Sequence, residues 1–526
     1  MTGSRKRIEL YDTTLRDGAQ MQGLELTVAD KLSIIRVLDR LGVQFIEGGY
    51  PASNPAEIEL FAKAKQLSLV NATVVAFGMT CHKGKKPAED KYLPKLVSSG
   101  AEVVAVVGKS SEFQVKSILE TDLDENLRMI KESCAFLVKA DLGVFFDAEH
   151  FFDGFKENPD YALACLKAAE DGGASRLILC DTNGGCLPSE IGRIVGRVKK
   201  ESRVPVGIHT HNDSGLAVAN SLAAVEYGAI QVQGTVNGYG ERCGNADLLT
   251  LIATLQLKMG IECLLPHQIA MLSNVSRFVS ETCNLPSNHS QPYVGDNAFT
   301  HKGGMHGSGH AKSSEAYQHI DPNLVGNCSH VVVSDLAGRA NIKQKAAELG
   351  LELSSDEAES ILMRIEELKT QGVVFGRADA SFEILIHRQR PEYQSPFEIL
   401  YRRVRSEEKQ GKKPKDEAIV CIRANGGKRG NYQIAMGNDG PVDALDGAIR
   451  KALRLRFAKV IKGMRLVDYR VRTVSILNGT RSLVRVLIDF SDGKKTWTTV
   501  GASRDIIGAS CHALSDGYEY AILKAR

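Results

Sequence analysis

The sequence predicts an α/β chain built on a (β/α)8 TIM barrel, followed by helical linker subdomains and a smaller C-terminal α/β domain. Three observations lead there. Short apolar runs alternate with amphipathic stretches from Ile8 to about Val236. Eight such runs fit in this span, the number a closed parallel barrel needs. Polar residues able to do chemistry recur just after the runs, as they do at the carboxyl ends of barrel strands.

The candidate strands are Ile8–Tyr11, Phe45–Glu47, Thr73–Phe77, Val103–Val107, Gly143–Asp147, Leu177–Cys180, Val206–His211 and Gln231–Thr235. Stretches such as Val28–Leu41 and Tyr161–Glu170 carry apolar residues at helical spacing between them. A doubly wound open sheet is the alternative, but it asks for a glycine-rich phosphate loop after the first strand. Thr13-Thr14-Leu15-Arg16-Asp17-Gly18 is charged instead, and Gly238-x-Gly240 lacks the GxGxxG spacing. The barrel is expected over residues 1–270 and linker subdomains over 271–400. A mixed-charge linker is expected at 401–416 and a separate domain over 417–526. That last domain reads as two similar halves, each with strand-like runs (Ile419–Ile422 and Gln433–Ala435; Val484–Ile488 and Thr496–Val500) before a helix.

Composition limits the function classes. A chain of 526 residues exceeds one hydrophobic core. With 43% hydrophobic and 25% charged residues it is neither disordered nor fibrous. Its 66 basic and 63 acidic residues leave a net charge of +3, which gives no support for nucleic-acid binding. No apolar run approaches a membrane span, and Arg5-Lys6-Arg7 leads directly into a strand pattern rather than a signal peptide. Eleven cysteines without CxxC pairs suit reduced thiols, so a cytoplasmic location is expected.

The richest stretch is Gly207-Ile208-His209-Thr210-His211-Asn212-Asp213, followed one helix later by Asn237-Gly238-Tyr239-Gly240-Glu241-Arg242-Cys243-Gly244-Asn245. Alternate residues of a strand share a face, so His209 and His211 point the same way, as metal ligands must. Asp17 and Asn245 would add two oxygens. Mixed oxygen and nitrogen ligation with open positions suits Mn²⁺, Mg²⁺ or Zn²⁺ and a chelating 2-oxo acid. Arg16 could hydrogen-bond the substrate carbonyl and stabilise a developing alkoxide. Glu47, at the end of the second strand, is a candidate substrate-binding residue. Glu149 and a histidine of His301–His310 are candidates for general acid/base work. Cys243 has no evident base beside it, which argues against a nucleophilic role.

Leu15-Arg16-Asp17-Gly18-Ala19-Gln20 resembles the first signature of the 2-isopropylmalate/homocitrate/citramalate synthase family. His209 to Asn220 and Gly238 to Asn245 resemble its second. Gly440-Pro441-Val442-Asp443-Ala444-Leu445-Asp446 and Thr499-Val500-Gly501-Ala502-Ser503 are similar to its regulatory domain. Asp147–Gly154, His301–His306 and Val333–Ile342 point within the family to condensation of acetyl-CoA with pyruvate, and 2-oxoisovalerate is the alternative acceptor.

The resemblance implies a divalent metal ion on Asp17, His209, His211 and Asn245, with Arg16 polarising the carbonyl. It further implies that Thr182 holds the substrate carboxylate and that Glu149 and His306 move protons. Tyr317 would lie near acetyl-CoA. The segment carrying His306 and Tyr317 would reach into a partner subunit, making a homodimer, and the tail would bind an end-product amino acid, isoleucine in the pyruvate case. Two positions depart from the family pattern: Ser308 stands where many relatives carry an acid, and Asp147 where some carry an aromatic. A carbon–carbon lyase of the same barrel class and a catalytically silent amino-acid sensor are the competing readings.

Overall fold

The computed structural model describes residues 7–301, 317–331, 339–376, 378–408, 410, 415–425, 427, 429–437, 440–474, 483–493 and 495–525. Eight parallel strands close into a barrel: β1 (Glu9–Asp12), β2 (Phe45–Gly49), β3 (Thr73–Met79), β4 (Val103–Lys109), β5 (Gly143–Glu149), β6 (Arg176–Asp181), β7 (Val206–Thr210) and β8 (Gln231–Gly234). Closure is made by β1 pairing with β8, Glu9 opposite Gln231 and Asp12 opposite Gly234. All eight expected strands are present, each within two residues of its expected ends.

Local signals set the crossover helices. The helix Val28–Leu41 starts on a capping box between Thr27 and Asp30 and stops at Gly42, whose φ of 96° favours glycine. Its buried stripe includes Ile34, Ile35, Leu38 and Leu41, and such stripes fill the layer between strands and helices together with Phe146, Phe151 and Phe152. Inside the barrel a second cluster holds Tyr11, Val75, Ala105 and Phe145. The inward face continues through alternate residues, so at the closed end Glu9 accepts two hydrogen bonds from Arg176, at 3.0 and 2.7 Å. At the other end the same faces carry Asp147 and Glu149 on β5 and His209 on β7.

The barrel body runs to Phe299 and also takes in Ile320–Ser329, further than the expected boundary at 270. Helix Leu272–Thr282 is the reason: its buried Leu272, Val275 and Val279 belong to the barrel's outer core.

The other body comprises Thr300–His319 and His330–Arg526. Its C-terminal part is a duplicated unit of three antiparallel strands and a helix. The first has strands Phe397–Glu407, Lys415–Ala424 and Asn431–Gly437 before helix Pro441–Gly463. The second has Arg465–Thr473, Val484–Ser491 and Thr496–Ser503 before helix Ile506–Lys524. One apolar core is shared, with Val420, Ile422, Leu445 and Ile449 from the first and Val486, Ile488, Leu514 and Tyr518 from the second.

The expected linker at 401–416 is therefore corrected. Residues 401–407 lie in a strand whose Glu407 pairs with Lys415 of the next, so the described part of the charge run belongs to paired strands of the domain. Its residues are mostly solvent-facing, as are those of Arg465–Thr473, the first strand of the second half. Strands exposed on most positions lack the apolar alternation by which the inner strands are recognised.

Candidate active site

β7 ends on Thr210, and His211 forms an isolated antiparallel bridge with Asn245. That bridge folds the loop Asn237–Asn245 back over the barrel mouth. The loop's glycines are obligatory. Gly244 has φ 83°, and a Cβ there would stand 2.0 Å from the Gly238 carbonyl oxygen. At Gly240, φ 152°, a Cβ would stand 2.3 Å from Asn245 Nδ2. The close approach delivers Asn245 to Asp17, with Nδ2 donating to Asp17 Oδ1 at 3.1 Å.

Asp17, His209 and His211 are buried, and each offers a ligand atom within 4.8 Å of the others. The two histidine Nε2 atoms are 3.3 Å apart. His209 Nδ1 meets Gln233 Oε1 at 3.0 Å, and Gln233 Nε2 donates to Gln231 Oε1 at 3.3 Å. Gln231 Nε2 donates in turn to Glu9 Oε2 at 3.1 Å. This chain of amides, anchored on the Glu9–Arg176 pair, puts the His209 proton on Nδ1 and leaves the Nε2 lone pair facing the mouth.

Electrostatics agree with metal ligation. Burial lowers the pKa of both histidines, and His211, further disfavoured by His209, falls to about 4. Burial alone would raise the Asp17 pKa, but Arg16 and then the two histidines pull it well below the usual carboxylate range. Asn245 Oδ1 and His211 Nδ1 are buried without a hydrogen-bond partner. A buried amide oxygen left unpaired beside a carboxylate and two neutral imidazoles fits a hard or borderline divalent cation.

Arg16 stands next to this group. Its Nε donates to Glu47 Oε2 at 2.6 Å and its Nη1 to Asp17 Oδ2 at 2.7 Å. Its guanidinium carbon lies 4.0 Å from the Phe77 ring centroid. Burial disfavours the charge, but Glu47 and Asp17 outweigh it and raise the pKa. Glu47 departs from its expected substrate-binding role. It is fully buried, accepts from Tyr11 Oη at 2.8 Å and from Thr13 Oγ1, and does not line the cavity. It holds Arg16, which alone of the two lines the cavity.

That cavity, of about 620 Å³, is lined by Arg16, Asp17, Glu149, Thr182, His209 and His211, among others. Thr182 Oγ1 accepts from the His150 amide at 2.8 Å, which orients its hydroxyl group. Asp147, beneath Glu149, is buried with Oδ1 unpartnered, and burial followed by Glu47 pushes its pKa well up. His306 and Ser308 lie outside the described residues. Tyr317 is half-exposed and belongs to the second body rather than to the barrel. Cys243 is exposed. Sequence reasoning missed Gln233, Phe77 and Lys109. Lys109 carried a usable signal, since it ends an apolar run at the carboxyl end of the barrel strands.

Residues 7–279 match the HMGL-like family, 293–373 the homocitrate synthase post-HMGL domain-like family, and 377–522 the LeuA allosteric (dimerisation) domain. The chain is 44% identical to the (R)-citramalate synthase of Geobacter sulfurreducens, over 98% of each chain. It is also 44% identical to that of Aquifex aeolicus, over 99% of this chain and 98% of the other. The chain belongs to the (R)-citramalate synthase family. A 2-isopropylmalate synthase, that of Methanocaldococcus jannaschii, is more distant at 30% identity over 98% of this chain and 95% of the other. The family places the chain among acyl-transferring enzymes with an HMGL-like barrel and a LeuA-type C-terminal domain.

Proposed function

We propose that this chain condenses acetyl-CoA with pyruvate and hydrolyses the resulting thioester, giving (R)-citramalate and CoA. One observation carries the reading. Asp17, His209, His211 and the orphaned Asn245 oxygen converge at the mouth of a barrel, within reach of Arg16 and in a cavity that also contains Glu149 and Thr182. A divalent ion held by Asp17, His209, His211 and Asn245 would supply the Lewis acidity that a chelating 2-oxo acid needs.

The chain's own groups divide the remaining work. Of the five N–H donors of Arg16, Glu47 takes Nε and Asp17 takes one on Nη1. The rest are free for the ketone oxygen, where negative charge develops as the new carbon–carbon bond forms. Thr182 takes the substrate carboxylate. Glu149, with His306, removes a proton from the acetyl methyl group, and the resulting carbon nucleophile attacks the ketone carbon of pyruvate. Water then cleaves the thioester, releasing CoA and the second carboxylate. Tyr317 acts near acetyl-CoA, its segment reaching the barrel of a second subunit. The LeuA-type domain supports a homodimer, and isoleucine is the proposed inhibitor bound there.

The test is CoA release by purified protein with Mn²⁺, Mg²⁺ or Zn²⁺, comparing pyruvate with 2-oxoisovalerate. A higher kcat/KM with pyruvate is expected. One or two extra methyl groups in a pocket are worth only about 1–3 kcal/mol, so better turnover of the branched acid would transfer the chain to the 2-isopropylmalate reaction.

A further inference from the structure

Lys109 and Glu149 are the last residues of neighbouring strands β4 and β5 and stand directly opposite each other in the ladder. Both lie on the inward face, and both line the cavity that holds Arg16, Asp17 and Thr182. Lys109 Nζ is 2.5 Å from Glu149 Oε2. From this geometry we infer that Lys109 is a positioning residue for Glu149, fixing the carboxylate that exchanges a proton with the thioester substrate. The inference rests on the condensation reading above.

Three points support it. A glutamate at a strand end has several freely rotating side-chain torsions, and a base must be held close to the proton it takes. The ion pair selects one orientation in advance, removing that entropy from the barrier. Second, Asp147 does not compete for the ammonium group. It is buried below the pair with its carboxyl pushed towards the neutral form, first by burial and then by the Glu47 charge. Third, stability does not account for the pair. The Lys109 and Glu149 side chains are 19% and 27% exposed, and a pair that keeps access to water adds little to stability. Its location on the cavity wall does account for it.

The experiment is a double-mutant cycle read by steady-state kinetics on the full-length, metal-loaded protein: Lys109→Met, Lys109→Arg, Glu149→Gln and the Lys109→Met/Glu149→Gln double variant. Lys109→Met is expected to lower kcat by about ten- to a hundredfold, the range lost when an orienting partner is removed. KM for both substrates should stay within about threefold, because Lys109 does not itself bind them. Lys109→Arg, which keeps a cation in reach, should recover most of the loss. The double variant should be no slower than Glu149→Gln, since a residue acting through Glu149 has nothing left to position.

Two results overturn the inference while leaving the condensation reading intact. One is losses that multiply in the double variant. The other is a raised KM for acetyl-CoA at unchanged kcat, which would make Lys109 a substrate ligand. Wild-type protein releasing no CoA with either 2-oxo acid overturns the condensation reading, and this inference with it.

Discussion

Gln233→Leu tests how the proposed metal site is held. Gln233 touches no proposed ligand ion or substrate; it accepts from His209 Nδ1 at 3.0 Å and passes the polar chain on to Gln231. Leucine keeps the volume and removes the acceptor. His209 Nδ1–H is then a buried donor without a partner, a loss of about 1–3 kcal/mol. An independent estimate comes from metal sites in general, where deleting the group that orients a ligating histidine costs about 10–100-fold in affinity. At roughly 1.4 kcal/mol per tenfold, that range overlaps the hydrogen-bond figure. The assay is calorimetric titration of Mn²⁺ into metal-stripped wild-type and variant proteins, with circular dichroism to show that both are folded. A dissociation constant raised at least about tenfold is expected. A folded variant binding within twofold of wild type would refute the claim that the amide chain sets the His209 tautomer.

Other expectations follow from the same geometry. The His211 pKa lies near 4 instead of the usual 6.5. The proton that would expel a metal ion therefore binds only as pH falls towards 4, and Asp17 is held ionised by Arg16 against the effect of burial. Mn²⁺ affinity should change less than about threefold between pH 7.5 and pH 5, and a tenfold loss would contradict it. Glu47→Gln removes one of two carboxylates from the part-buried Arg16; Asp17 remains, so destabilisation should fall at or below the lower end of the ~3–5 kcal/mol cost of breaking a buried pair. Chemical denaturation measures it, and kcat should fall with it as Arg16 loses its anchor. The C-terminal body includes helix Asp379–Gln389, whose Arg388 pairs with Asp516 at 2.9 Å and Glu519 at 2.7 Å. A chain ended at Gly376 should lose inhibition by isoleucine; inhibition persisting in that shortened protein would place the effector elsewhere.

The sequence alone determined the barrel and most of the candidate metal site, for a local reason. Parallel strands buried on both faces read as apolar runs, and the residues after them fall at one end of the barrel whatever the helices between. His209 and His211 share a face by strand alternation, and Gly240 and Gly244 mark a loop that other residues could not form. Tertiary structure decided what distant residues do to one another. Glu47 has the chemistry of a substrate ligand and the position of one, yet β1 places Tyr11 against it, and the turn after β1 adds Thr13 and Arg16. Gln231 and Gln233 carry no chemistry of their own; only closure of β8 onto β1 lines them up between Glu9 and His209. The strand Phe397–Glu407 was hidden because a strand facing water on most positions has no apolar period to read. Lys109 and Glu149 lie forty residues apart in sequence, and the β4–β5 register alone sets them opposite one another. Periodicity is a property of a segment, whereas a partner is a property of the closed barrel.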